Sequence, residues 1–549
     1  MPSNVTVETD RKWLDLSLAQ QAVWLDAKLS GSSAYQLGGW ARIDAPLDEA
    51  AVRQAISLIM ARHDALRLRV DDELPRQWLD ESVDPPLTLH DFEHGENEPD
   101  VAFQLFVEDR FSTAMPLGDH PLFSIEVLRA GPNLNYMLWR FHHLVADAAA
   151  VAITIYHFLH AYEALTSGTP QELPPESSYL KTISADAAYL QSASYQKDLA
   201  YWTARFEPLP PPLIADLEER PSALKKVPAA DWTLEGDQFA NLQSAAKTAG
   251  VTLQRVLFGL FACVVGRRYS QSDVVTGVAL HRRDLANRLT IGMLAGVIAV
   301  RCRMDPFWTL EECVQAFSEQ LDDDLRHQRL PVDVLSRALG LASTGRAGLF
   351  EAAMSYMPAN RGWNDSAVAN LPVTTGQVAS REASPISFRV SERGPDDGLD
   401  MTIAVNPDFL EAHEASALLT LLQTACRLFI EESETRLENL PTVTPAEQDL
   451  VCGHWNATER AFETGTLDSL FTAQALRTPD AIAVVGRNGQ HISYSELDAQ
   501  STKLARALAA HGVKPERVVG VRMERSIETI VALLAILKAG GVYLPLDPS

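Results

Sequence analysis

The sequence predicts an α/β protein, on three observations. Short runs rich in β-branched and aromatic residues alternate with longer apolar runs of helical period along most of the chain. Turn chemistry separates the runs. One stretch combines all these features: residues 122–128 read as a strand, Gly131-Pro132-Asn133 as a turn, 134–141 as the returning strand and 148–164 as an apolar helix stopped by Ser167-Gly168-Thr169-Pro170.

The remaining elements follow in chain order. Residues 16–25 are helix-like, with Ser17 as N-cap and Gln20 three residues on to complete a capping box. Residues 35–43 read as a strand. Leu47-Asp48 opens a helix running to about Arg62, with Val52, Ile56, Ile59 and Met60 as its apolar stripe. Pro170 to Pro175 reads as a crossover between two lobes. A helix follows at 195–206, a proline-rich turn at 209–212, a strand at 231–234 and a helix at 237–249 closed by Gly250. Residues 252–269 form a strongly apolar helix, and 273–280 a strand followed by Arg282-Arg283. Residues 291–301 read as a buried apolar strand. A hairpin spans 386–405, with its turn at Asp396-Asp397-Gly398-Leu399. A closing helix covers 412–429.

Composition bounds the function. A length of 549 residues suggests about three or four structural units. The net charge of −25 argues against nucleic acid, whose binding needs a basic footprint. No run of about 18 apolar residues occurs, so no membrane span is expected. Residues 1–10 carry no signal-peptide core. The five cysteines show no metal spacing and read as buried reduced thiols of a cytoplasmic protein. A monomer without a tightly bound cofactor or metal is expected.

The stretch from Trp139 to Ala150 carries the chemistry. Side chains alternate along a strand. If pairing holds through both histidines, His143 shares a face with Met137, Trp139 and Phe141, and His142 with Tyr136, Leu138 and Arg140. One histidine can then look into a cavity while the other is structural. Asp147 stands where the next helix begins, an ordinary N-cap position.

The residues His142-His143-Leu144-Val145-Ala146-Asp147-Ala148 resemble the HHxxxDG motif of the condensation domains of nonribosomal peptide synthetases. Further blocks agree in order and spacing. Residues 17–24, Ser17-Leu18-Ala19-Gln20 and onward to Trp24, resemble SxAQxxxW. Arg62-His63-Asp64-Ala65-Leu66-Arg67 resembles RHExLR, with Asp64 in place of Glu. Residues 291–301 resemble IGxFVNTLPLR, but Gly296 and Ile298 replace the usual Asn and a neighbour. His327-Gln328-Arg329-Leu330-Pro331 resembles HxxxPFxxL. The 386–405 hairpin resembles the late hairpin whose strand bridges the two lobes. The likeness covers about residues 14–435.

This resemblance implies two lobes like chloramphenicol acetyltransferase, arranged as a V around a tunnel. It implies residues 1–175 and 176–440 as the lobes and 441–460 as a linker. Residues 461–549 resemble the start of an adenylation domain: Ile492-Ser493-Tyr494-Ser495-Glu496-Leu497 and Leu537-Lys538-Ala539-Gly540-Gly541 match its first two motifs. The chain stops before the phosphate-binding loop and lysine that amino-acid activation needs, so this tail reads as a fragment.

The implied reaction is acylation of an amine on a carrier protein's phosphopantetheine arm. The resemblance makes His143 the proton-transfer or amine-positioning residue, with His142, Asp147 and Arg62 as motif support. Arg62 is expected to pair with Asp147 under the active-site floor. Trp24, Ala148, Ala150 and Gly296 are candidate channel residues. Ala148 replaces the family glycine, which narrows the tunnel or shifts the loop. Tyr35-Gln36-Leu37-Gly38-Gly39-Trp40 resembles a segment of starter domains, which take a fatty acyl-CoA. With Met1 as a natural start, the donor arrives in trans. The expected function is therefore N-acylation from acyl-CoA. The alternatives are an elongation domain fed by a peptidyl carrier and a silent, condensation-like recruitment module.

Overall fold

The computed structural model describes residues 11–30, 35–82, 84–92, 98–168, 177–215, 217, 227–346, 348–358, 372–378, 384–394, 397–462, 464–487 and 489–548. Two compact units divide it, 1–448 and 449–549.

The larger unit begins with β1 (Trp13–Asp15), α1 (Leu18–Ser30), β2 (Gln36–Ile43) and α2 (Glu49–Arg62). Next come β3 (Leu68–Val70), β4 (Arg76–Leu79), β5 (Leu87–Asp91) and α3 (Pro99–Ser112). The hairpin β6 (Phe123–Gly131) and β7 (Leu134–His142) leads into α4 (Ala148–Ser167). After α5 (Leu180–Leu190) and α6 (Ala193–Arg205) come β8 (Ala229–Leu234), α7 (Gly236–Thr248), α8 (Leu253–Arg268), β9 (Asp273–Leu280) and β10 (Gly296–Arg303). The unit continues through α9 (Leu310–Leu325), α10 (Val332–Ala338), β11 (Ala352–Met357), β12 (Val373–Val378), β13 (Ile386–Gly394), β14 (Gly398–Val405) and α11 (His413–Glu431).

Eleven of these strands form two large sheets, one per lobe, and β1, β4 and β3 form a small third sheet. The N-terminal sheet has the order β12-β2-β7-β6-β5, and the C-terminal sheet β10-β9-β11-β13-β14-β8. The alternation along β7 is realised. Met137, Trp139 and Phe141 enter the main N-terminal core with Ile56, Ile59 and Met60 of α2 and Ile155 and Phe158 of α4. Tyr136 and Leu138 face the other side, against Phe103 and Val107 of α3. Both faces of this hairpin are therefore covered.

Helix boundaries follow local chemistry. Asp48 caps α2 through Ala51 N–H, and the Ser17 and Gln20 capping box forms as the sequence predicts. Gly168 ends α4 in the left-handed region, at φ 64°. Helix α8 is buried from Val256 to Gly266, which its uninterrupted apolar run requires.

One expectation is corrected. The 386–405 hairpin stays in the C-terminal sheet as β13–β14. The strand that bridges the lobes is β12, which pairs antiparallel with β2 from Val373–Ile43 to Val378–Gly38. Its edge position suits it to the task, because β2 otherwise presents an unpaired edge. The N-terminal core also draws in Tyr179, Ile183, Ile291, Met293 and Leu294 from beyond residue 176. The expected crossover at 170–175 and part of the hairpin turn, Asp396, lie outside the described residues.

Among its described residues the smaller unit holds a short π-helix, Asp449–His454, three α-helices, Leu467–Arg477, Tyr494–Ala510 and Ile527–Lys538, and two strand pairs. Ser493 and Glu496 of the first motif form a reciprocal capping box. Lys538 of the second motif binds Asp498, Ser501 and Thr502, pinning one helix to another. Four of the five cysteines are buried and Cys452 is exposed, against the expectation that all are buried. Among the described residues no single helix is long and apolar enough to cross a membrane.

Candidate active site

Strand β7 ends at His142, one residue before the expected pairing would have carried through. His142 is buried, and its Nδ1 accepts the Leu144 N–H at 3.2 Å. Burial and the neighbouring His143 hold its pKa down at about 4, so it is a neutral structural acceptor. His143 lies in the turn that follows, half-buried, with its N–H donated to Tyr35 O at 2.8 Å. Its Nδ1 is buried without a hydrogen-bond partner. Desolvation lowers its pKa; the Asp147 carboxylate and the His143 and Ala146 carbonyls oppose that shift. The imidazole is thus neutral at neutral pH, the form a proton acceptor needs.

Asp147 is both the N-cap of α4 and the anchor of the loop. One oxygen accepts Ala150 N–H at 2.8 Å. The other accepts Arg283 Nη1 at 2.7 Å and the backbone N–H groups of Leu294 and Ala295 at 3.1 and 3.0 Å. Four donors on one buried carboxylate fix the loop it ends.

The expected Arg62–Asp147 pair is therefore corrected: the cation on Asp147 is Arg283, from the other lobe. Arg62 ends α2, and its charge acts instead on His63 and His157, whose pKa values it helps lower. Arg67 meets the exposed Glu81 at 3.5 Å. The Arg282-Arg283 pair was visible in the sequence, but nothing local to it signals a partner 136 positions away.

The channel candidates separate. Ala148 opens α4 and is half-buried, beside the half-buried Ala149. Ala150 is corrected to a core residue, wholly buried among the N-terminal apolar side chains. Gly296 begins β10, and a Cβ there would strike the Arg282 guanidinium. Arg282 therefore occupies the space that a side chain at position 296, such as the family's asparagine, would need. Trp24 lines a different groove of about 390 Å³ with Leu25, Asp186, Leu190 and Arg337, and His143 is not among its lining residues.

Three residues of the site escaped sequence reasoning. Asp64, the aspartate that replaces glutamate, binds Ser178 Oγ and the Tyr179 N–H, the latter at 2.8 Å. Gln20 donates to Leu144 O at 2.9 Å, the residue after His143. Tyr179 is fully buried and bonds Ser17 and Met293. Asp64 and Gln20 sat inside recognised motifs, whereas no motif marked Tyr179.

Comparison with known proteins bears on the family and the fold. The condensation-domain family model matches residues 11–451, and that of AMP-binding enzymes matches 471–549. A plipastatin synthase of Bacillus subtilis is 27% identical over 97% of this chain. Phosphinothricin tripeptide synthetase PhsB of Streptomyces viridochromogenes is 28% identical, also over 97%. The chain spans only 21% and 46% of those relatives' lengths. Among solved structures, a variant of the starter condensation domain of rhizomide synthetase RzmA in complex with C8-CoA superposes with a TM-score of 0.69. It is 22% identical, and the match covers 79% of this chain and 98% of that one. The first condensation domain of the calcium-dependent antibiotic synthetase, with a substrate analogue, gives 0.65 at 24% identity over 78% and 100%. The chain belongs to the condensation-domain family of nonribosomal peptide synthesis, whose domains form amide bonds by acyl transfer, and it continues into the beginning of an AMP-binding domain.

Proposed function

We propose that this domain is a starter condensation domain that moves a fatty acyl group from acyl-CoA to the α-amine of an aminoacyl thioester. A carrier protein presents that amine on its phosphopantetheine arm. The observation that carries the chemistry is His143: a neutral, half-buried imidazole just past β7, on a loop fixed by Asp147 and Arg283.

In the step, the amine nitrogen attacks the donor carbonyl. A C–N bond forms, the C–S bond breaks and the thiolate leaves. His143 takes the proton the nitrogen loses and returns it to the departing sulfur. Positioned proton transfer of this kind contributes about 10²–10⁴-fold. Holding both arms in line contributes more, up to roughly 7–11 kcal/mol. His142 and Asp147 hold the loop, and Ala148 borders it.

The starter reading is supported by Tyr35-Gln36-Leu37-Gly38-Gly39-Trp40, which leads into β2 and lies beside the histidines, Gln36 opposite His142 and Tyr35 O bonded to the His143 N–H. Residues 1–175, 176–440, 441–460 and 461–549 serve as the two lobes, linker and adenylation fragment of a cytoplasmic monomer. Acyl-CoA and the carrier protein are its partners, and it needs no tightly bound cofactor or metal. Mass spectrometry of reactions containing acyl-CoA donors and aminoacyl thioester mimics tests this. N-acyl product from CoA donors, lost in His143→Ala, is the expected result. Product from a peptidyl carrier alone would replace it with the elongation reading, and no product from either donor with the recruitment module.

A further inference from the structure

The loop from His143 to Asp147 is gripped on two sides. On one side, Gln20 Nε2 donates to Leu144 O at 2.9 Å. Gln20 is itself placed by Ser17, whose Oγ accepts the Gln20 N–H at 3.1 Å and whose N–H donates to Gln20 Oε1 at 2.9 Å. On the other side, Leu294 and Ala295 donate their N–H groups to Asp147 Oδ2. Those two residues follow Met293, whose carbonyl accepts the Tyr179 hydroxyl at 2.8 Å.

One atom joins both grips. The Tyr179 hydroxyl has a single proton, which goes to Met293 O. It must then accept from Ser17 Oγ, 2.8 Å away. The donors and acceptors close consistently: Ser17 donates to Tyr179 and accepts from Gln20. Ser17, Gln20, Leu144 and Tyr179 are fully buried, and Met293 and Asp147 nearly so. Burial also pushes the Tyr179 phenol far above its ordinary pKa, so the hydroxyl stays neutral.

The seat of Tyr179 is built to measure. Asp64 Oδ1 accepts the Tyr179 N–H at 2.8 Å and Asp64 Oδ2 takes the Ser178 hydroxyl. Gly292 lies against the tyrosine ring so closely that a Cβ there would overlap it. The ring thus crosses from the start of α5 to the segment between β9 and β10, with Ser17, just before α1, at its hydroxyl.

We infer that the Tyr179 hydroxyl is a positioning group for amide formation, closing a buried hydrogen-bond ring that holds the His143 loop from both lobes at once. This rests on the reading of His143 as the reacting imidazole. Tyr179 acts through Ser17–Gln20–Leu144 on one arm and Met293–Leu294–Ala295–Asp147 on the other. A ring of this kind transmits position because a buried polar group that loses its partner is costly, so the arms move together or not at all.

Tyr179→Phe keeps the aromatic ring and removes only the oxygen. In the amide-forming assay, with whichever donor the wild type accepts, kcat should fall about tenfold while KM for both substrates stays within about twofold. In a His143→Ala background the same substitution should leave the residual rate unchanged, since Tyr179 then has no imidazole to position. Amide hydrogen exchange should rise in peptides covering 142–150 and 291–296 and stay unchanged in β13–β14. A Tyr179→Phe protein with wild-type kcat would overturn the inference, as would an equal loss of rate with and without His143. Should His143→Ala alone keep full activity, the reading of His143 fails; the exchange data and the kcat of Tyr179→Phe then still decide whether Tyr179 holds this loop for catalysis. Ser17→Ala, which cuts one arm of the ring, provides the same comparisons if Tyr179→Phe does not fold.

Discussion

His142 and His143 are adjacent in sequence and opposite in circumstance. One ends a strand and uses its ring to accept a backbone N–H; the other begins a turn and leaves Nδ1 unpartnered. Their pKa values are both depressed, by burial first. A base whose pKa lies below the ordinary imidazole value is neutral above that value and is lost as pH falls through it. The rate of amide formation should therefore hold at neutral pH and fall on an acid limb below about pH 6.5, and a pH–rate profile measures this. Asp147 yields a second prediction. Arg283→Ala strips the cation from a buried carboxylate and should cost about 3–5 kcal/mol in chemical denaturation. Arg62→Ala leaves that carboxylate fully paired and should cost clearly less. The resemblance pointed to Arg62, and nothing in the sequence marked Arg283, because that pairing is made by the approach of two lobes. The cap that Asp147 places on α4, by contrast, was legible, since it is set within three residues of chain.

Element by element, local rules were read well. The capping box at Ser17, the helix opening at Asp48, the stripe on α2 and the stop at Gly168 are each decided by a handful of neighbours. What the sequence hid is long-range pairing. Strand β12 looks ordinary, yet it crosses to the other lobe because β2 offers an edge. The glycines of β2 show the same limit. Gly38 reads as a family signature, but its physical reason is contact: a Cβ there would strike Trp139 O and the Phe111 ring of α3. Gly38→Ala should push α3 off the sheet and lower stability by about 1–3 kcal/mol, read from urea denaturation midpoints.

At the scale of the whole molecule, three buried histidines set an acid limit. His63, His142 and His157 have pKa values of about 4, 4 and 3 in the folded protein, each lowered chiefly by burial. The unfolded chain protonates its histidines near pH 6.5, so it binds more protons than the native state below that pH. Stability is therefore fully present above about pH 6.5 and declines as pH falls toward 4. Each histidine contributes up to about 1.4 kcal/mol per pH unit over that window. Thermal unfolding followed from pH 7 to pH 4 should show a steady fall in midpoint, reduced in His157→Phe, which removes one titrating group from the His63–His157 pair. The two-lobed architecture itself was legible only through several motifs in fixed order. Alternating strands and helices specify α/β layering but leave open which sheet each strand joins.

The most direct test of the central claim is the single-turnover rate of amide formation in His143→Ala set beside His142→Ala, with the fold of each checked by circular dichroism. The account predicts that His143→Ala folds normally and loses about 10²–10⁴ in rate. His142→Ala should lose stability first, and rate only as far as the loop shifts. A well-folded His143→Ala protein that forms amide at the wild-type rate would contradict it.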